Sequence, residues 1–165
     1  MNTELLEITD RSQLQKLVEA AHEIWNEYYP YLLKPEKIRY MLEKFQTVEA
    51  MERNIAEEGC RYFLLMQGEN VLGYLAIKPE GDKLFLSKAY LKKSVRGQGH
   101  FSRMMEFMEN AAREQGLKSI YLTVNKGNAD SIAVYCKKGF HVAREQVIDI
   151  GGGFVMDDYV MEKFL

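Results

Sequence analysis

Residues 83–101 read KLFLSKAYLKKSVRGQGHF, and the change of pattern inside this stretch decides how the chain is built. Residues 83–91 have the apolar and aromatic density of a strand, and Lys92 to Gly99 form a polar loop. From Phe101 onward Met105, Met108 and Ala112 return at helical spacing until Gly116 stops the run. The first amides of a helix lack intrahelical partners and carry the positive end of its dipole, so strand, glycine loop and helix make a phosphate cradle. Gly97 and Gly99 let the backbone turn sharply and approach an anion without a Cβ in the way. Arg96, with Lys92 or Lys93, adds cationic contacts.

Three readings of the loop compete. Two glycines can do no more than end a strand and open a helix. A dinucleotide site would want Gly or Ala where Ser102 stands, and an acidic residue ~20 positions on. That region is Ile120–Tyr121–Leu122–Thr123, and no GxxxxGK[ST] phosphate loop occurs. A coenzyme site of another kind is the third reading, and it needs support elsewhere in the chain.

Upstream, residues 61–67 and 71–78 flank the polar turn Gly68–Glu69–Asn70 as a hairpin, and Pro79 to Asp82 turns the chain into 83–91. A first strand is predicted over 3–8. Asp10 or Ser12 caps a helix with Leu14, Leu17, Val18, Ala21, Ile24 and Trp25 on one face. The run Tyr28–Tyr29–Pro30–Tyr31 ends it. Pro35 opens a second helix through Phe45, and Thr47 caps a further piece that stops at Gly59. Downstream, 117–124 reads as a strand, Asn128 opens a short helix closing at Gly139, and 140–150 pairs with 154–163 around three glycines. The order β-α-α-β-β-β-α-β-α-β-β predicts an α+β fold, a mixed sheet of about seven strands flanked by helices, with residues 1–165 as one domain.

The chain has 165 residues, 47% of them hydrophobic, and a formal net charge of −2 with the signs interspersed. No basic block points to nucleic acid or to an anionic membrane, and no apolar run reaches the length of a membrane span. Without a recognisable signal peptide, a cytoplasmic protein is expected. Cys60 and Cys136 lie far apart and read as free thiols. With His100 and His141 they have no metal-ligand spacing, so no metal is expected.

Residues 122–140, LTVNKGNADSIAVYCKKGF, together with RGQGH at 96–100, resemble the GCN5-related N-acetyltransferase (GNAT) superfamily. The loop signature Gln/Arg-x-x-Gly-x-Gly/Ala is matched by Arg96 and Gly99, with Phe101 a departure at its last position. The second signature, an Asn, a short helix and Tyr-x-x-x-Gly-Phe, is matched by Asn128, Tyr135, Gly139 and Phe140. The resemblance implies direct transfer from acetyl-CoA to an amine in a ternary complex. It places the pantetheine along Ala89, Tyr90 and Leu91, and the pyrophosphate on Arg96, Gly97, Gln98, Gly99, His100 and Phe101. Asn128 and Lys137 would touch the coenzyme, and Tyr135 would protonate the leaving thiolate.

The resemblance also expects a Glu in the strand before the loop, where this chain has Phe85–Leu86–Ser87–Lys88. His22, Glu27, Asp157 and Asp158 are the alternative bases. An acceptor pocket between the first helices and the terminal hairpin would hold Trp25, Tyr28, Tyr29, Asp157 and Asp158, an aromatic and acidic set suited to a protonated amine. The segments 35–58 and 156–163 resemble the bacterial spermine/spermidine acetyltransferases, which implies a polyamine or another small amine. Acetylation of protein lysines or N-terminal amines, and a non-catalytic acyl-CoA sensor, stay open. A homodimer is expected, with 154–163 as an exposed strand free to pair.

Overall fold

The computed structural model describes residues 2–165. Its elements are β1 (Thr3–Glu7), α1 (Arg11–Tyr28), a single 3-10 turn (Tyr29–Tyr31), α2 (Pro35–Phe45), α3 (Val48–Glu58), β2 (Arg61–Gln67), β3 (Asn70–Glu80) and β4 (Lys83–Leu91). A second short turn, Lys93–Val95, leads to α4 (His100–Glu114), β5 (Ser119–Asn125), α5 (Ala129–Lys137), β6 (His141–Gly151) and β7 (Phe154–Phe164). The strands form one sheet in the order β1-β2-β3-β4-β5-β7-β6, antiparallel except where β4 meets β5. This is the α+β fold that the sequence predicts.

Local chemistry sets the helix ends. Asp10 accepts from the Gln13 amide while the Gln13 side chain returns to the Asp10 backbone, a reciprocal cap that starts α1. Thr47 caps α3, and Gly59, at φ 72°, closes it in the left-handed region. The stretch 35–59 is therefore two helices, broken at Gln46, whose buried side chain accepts from the Tyr74 hydroxyl at 3.1 Å.

The central strands are apolar on both faces because both faces are covered. Leu65, Leu75, Ile77, Leu84 and Leu86 pack against Met104, Met105, Met108 and Ala112 of α4. Tyr62, Leu64, Met66, Tyr74 and Ala76 pack on the other side against Leu14, Leu17, Ala21, Ile24 and Met51 of α1 and α3. A third cluster joins Trp25 to α2 and to Ile150. One expectation is overturned: β7 lies between β5 and β6, bonded on both sides, so 154–163 is no free strand. The long return to β5 buries it, and the open edge is β6.

Candidate active site

The cleft begins where a ladder stops. β4 pairs with β5 only from Lys83 to Leu86, opposite Ser119 to Leu122. In β4 the register to β3 jumps, with Leu86 opposite Ile77 but Lys88 opposite Ala76, so Ser87 is an inserted residue. Such a bulge bends a strand and inverts the alternation beyond it. Leu84 and Leu86 face α4, as do Ala89 and Leu91 past the insertion, while Tyr90 turns to the α1 side. Lys88 turns with Tyr90. Beyond Leu86 the β5-facing backbone of 87–91 has no strand against it, and a groove of ≈ 580 Å³ opens there. Apart from the Leu91 carbonyl, which Arg96 takes, the N–H and C=O groups on that side meet no strand and suit an extended amide-bearing arm.

The glycine loop closes one end of the groove. Gly97 and Gly99 hold φ of 74° and 87°, and Gly99 is the residue from which α4 starts. No side chain caps α4, unlike α1, α3 and α5, which Asp10, Thr47 and Asn128 cap, and no acidic residue stands in its first turn. Its first amides are left for an anion. Arg96 does other work than the loop reading gives it. Its guanidinium donates to the Leu91 carbonyl at 3.0 and 3.2 Å and lies 5.1 Å from the Tyr28 ring centre, tying loop to strand. Gln98, exposed, folds back on the loop and donates to the Ser94 carbonyl at 3.3 Å. His100 is the first residue of α4 and is half-buried. Lys137 is exposed, whereas Lys138 bonds the Ser102 hydroxyl in the first turn of α4. Lys138, just past α5, and not Lys137 is the lysine that the structure joins to this end.

Tyr135 lines the groove from α5. Its ring meets Phe101 edge-on at 5.7 Å and Phe140 at 5.6 Å, so the irregular Phe of the loop props the tyrosine. Burial raises the phenol above its usual range, which keeps it protonated at neutral pH, and its hydroxyl has no hydrogen-bond partner among the described residues. Asn128 is buried. Its Oδ1 accepts from the Ser131 amide at 3.2 Å and from the Tyr28 hydroxyl, joining α5 to the end of α1 and leaving Nδ2 for a ligand.

The far wall is aromatic. Trp25 lies 4.4 Å from Tyr29 and 5.9 Å from Tyr90, and the Tyr29 and Tyr90 hydroxyls are 3.2 Å apart. Burial pushes the Tyr29 phenol up to about 12. Asp158 lines the same groove at 3% exposure, and no hydrogen-bond donor reaches its carboxylate among the described residues. Desolvation raises its pKa, against the pull of Lys37 and Lys126. Asp157 does not join it. One residue along a strand points to the opposite face, and Asp157 is exposed, 2.9 Å from Lys126. Two other base candidates also stay outside: His22 sits on the Gln46 carbonyl at 3.2 Å, and Glu27 is exposed on α1. Sequence reasoning missed Lys88 and Lys37, both in the groove lining.

Residues 18–140 match the sequence pattern of the acetyltransferase (GNAT) family. An uncharacterised N-acetyltransferase from the pepI 3′ region of Lactobacillus delbrueckii subsp. lactis is 26% identical over 141 residues, 79% of this chain and 80% of that one. The chloroplastic GCN5-related N-acetyltransferase 6 of Arabidopsis thaliana is 32% identical over 91 residues, half of this chain but 31% of that longer one. Among solved structures, PaiA N-acetyltransferase from Thermoplasma acidophilum in complex with coenzyme A superposes over all of both chains, with a TM-score of 0.83 and 21% identity. Together with the uncapped α4 and the split between β4 and β5, these matches establish that the chain belongs to the GNAT family and is an acetyl-CoA-dependent N-acetyltransferase.

Proposed function

We propose that the chain transfers the acetyl group of acetyl-CoA to the primary amine of a small cationic acceptor, a polyamine foremost, by direct attack in a ternary complex. The observation that carries the acceptor class is Asp158, a buried carboxylate without a hydrogen-bond donor, in a groove walled by Trp25, Tyr28 and Tyr29. A buried charge without a partner is costly, and an acceptor ammonium relieves that cost. Aromatic faces beside it add cation–π attraction.

In this reading the pantetheine lies along Ala89, Tyr90 and Leu91, and its pyrophosphate sits on the amides of 97–101. Backbone N–H groups in the split strand polarise the thioester carbonyl. The amine attacks, the C–S bond breaks, and the Tyr135 hydroxyl gives its proton to the departing sulfur. Residues 1–165 act as one domain. A homodimer belongs to this reading as well, through the open edge of β6, where Val142, Val147 and Ile148 are exposed; sedimentation equilibrium decides that point.

Thioester consumption across polyamines, aminoglycosides, amino acids and peptides tests the acceptor. Turnover confined to peptide N-termini would sink it. Tyr135→Phe removes a single oxygen, and kcat should fall by about 10²-fold or more at pH 7, the range of a lost general acid, with acetyl-CoA affinity kept. A variant as fast as the parent at every pH removes Tyr135 from the reaction.

A further inference from the structure

Two hollows meet at Lys88. The groove described above and a second cavity of ≈ 380 Å³, between α2, α3 and strands β3 and β4, share Phe45, Phe85, Ser87 and Lys88 in their walls. The Ser87 insertion is what brings Lys88 there, on the face of Tyr90 and directly before Ala89. Its Nζ donates to the Tyr62 hydroxyl at 2.9 Å and to Ser87 Oγ at 3.4 Å, and the Tyr62 hydroxyl donates onward to Asn54 Oδ1 at 2.9 Å. No carboxylate lies within ion-pair distance of Lys88 among the described residues. Glu58 of α3 is turned to Lys78 of β3 at 3.8 Å. Glu57 and Arg53 of α3, Cys60 just before β2 and Lys44 of α2 are the other ionisable groups around the second cavity.

We propose that Lys88, in its neutral form, is the catalytic base that takes the proton of the acceptor amine. The proposal rests on the acetyltransferase reading and on the docking of the thioester beside Ala89. The missing strand carboxylate is thus replaced by an amine one position past the insertion. The acceptor N–H proton passes to the Lys88 Nζ lone pair, and the acceptor nitrogen forms its bond to the thioester carbon. The C–S bond breaks, the sulfur takes the Tyr135 proton, and the second proton shed by the acceptor nitrogen as the amide forms restores the Tyr135 hydroxyl. Lys88 then releases its proton to solvent by way of the second cavity. Burial lowers its pKa to about 8, against the opposing pull of Cys60 and Glu58, so the neutral form is reached under mild conditions. Asp158 and Lys88 divide the work on a polyamine: the carboxylate holds one ammonium while the lysine deprotonates the reacting one.

The sign follows directly. Below about pH 8 Lys88 carries a proton, accepts none and repels a cationic acceptor, so kcat/KM should rise with pH through about 8. The limb should stay in place for two acceptors of different basicity, because a limb that belongs to the acceptor moves with it. Lys88→Arg keeps the charge but cannot titrate in this range, and Lys88→Met removes both. Each should lower kcat by about 10²-fold or more and abolish the limb, the range of a lost general base, while calorimetry finds acetyl-CoA binding unchanged. Should either variant fail to fold, the limb of the native protein across acceptors decides alone. Native-like rates in Lys88→Arg, or a limb that follows the acceptor, overturn the proposal. Failure to consume acetyl-CoA with any amine instead overturns the reading of function beneath it.

Discussion

At residue scale, Lys88 ties stability to activity. Its depressed pKa means that the folded chain releases a proton before the unfolded chain, whose lysine titrates near 10.5. Below about pH 8 both states are protonated and the folded state carries the full cost of a desolvated ammonium. As pH rises from 8 toward 10.5 the folded state sheds that proton first, and stability climbs. Lys88→Met, of similar volume, should therefore stabilise the protein at pH 7 by about 1–3 kcal/mol, with the gain shrinking above pH 8. Urea titrations of both proteins at pH 7 and 10 check it. A variant that is more stable and less active has the signature of a residue kept for chemistry. An equal or lower stability at pH 7 would mean that Tyr62 and Ser87 already compensate the charge.

Lys88 also shows what sequence could not reveal at this scale. Strict alternation from Leu84 and Leu86 puts position 88 toward α4, and only the inserted Ser87 turns it over. No local signal marks that insertion, because a bulge is set by pairing with β3. The same limit applies to Asp157 and Asp158: alternation says that one of them faces inward, but the register with β5 chooses which. By contrast, the Asn128 cap and the turns at Gly97 and Gly99 were legible, because a helix cap and a tight turn are written within a few neighbouring residues, whereas Tyr135 stood out only through the family resemblance.

At element scale, strands β3 and β4 are held together more tightly than the ladder alone requires. A Cβ built on Gly73 would lie 2.2 Å from the Tyr90 carbonyl oxygen and 2.9 Å from Leu91 Cδ2. That carbonyl belongs to the strand that flanks the groove, so Gly73 sets how close the rest of the sheet comes to it. Gly73→Ala has no left-handed conformation to lose; its penalty is overlap with backbone, which cannot rotate away. It should cost about 1–3 kcal/mol, the range for overpacking. It should also weaken acetyl-CoA binding, because Tyr90 and Leu91 must shift. Thermal melts and calorimetric titration test the two halves. A destabilised variant with native affinity would show that β4 moves as a unit and leaves the groove intact. The sequence carried the elements themselves well, since apolar periodicity is a local record of burial. It failed where an element's neighbours matter, as when β7 turned out to be enclosed by β5 and β6.

At the scale of the whole molecule, the site is assembled from parts that touch one another at a few points around the groove. α1 brings Tyr28, α5 brings Asn128 and Tyr135, the loop brings Arg96 over the Tyr28 ring, and β4 and β5 diverge between them. A ligand that fills the split supplies contacts where the ladder has stopped, so it should stabilise the native state as well as bind it. At a hundred times its dissociation constant, acetyl-CoA should add about 2.7 kcal/mol and raise the melting temperature by roughly 5–10 °C for a chain of this size. Hydrogen exchange locates the effect. Protection should concentrate in the β5-facing amides of 87–91 and in the first turn of α4, because those N–H groups lack partners without the coenzyme. The outer strands β1 and β2, already paired and far from the split, should change little. Protection spread evenly over the sheet would mean global stabilisation without the proposed contacts, and protection confined to α2 and α3 would move the coenzyme into the second cavity. Either pattern would unseat the placement of pantetheine along Ala89 to Leu91, and with it the assignment of Lys88 to the reacting amine.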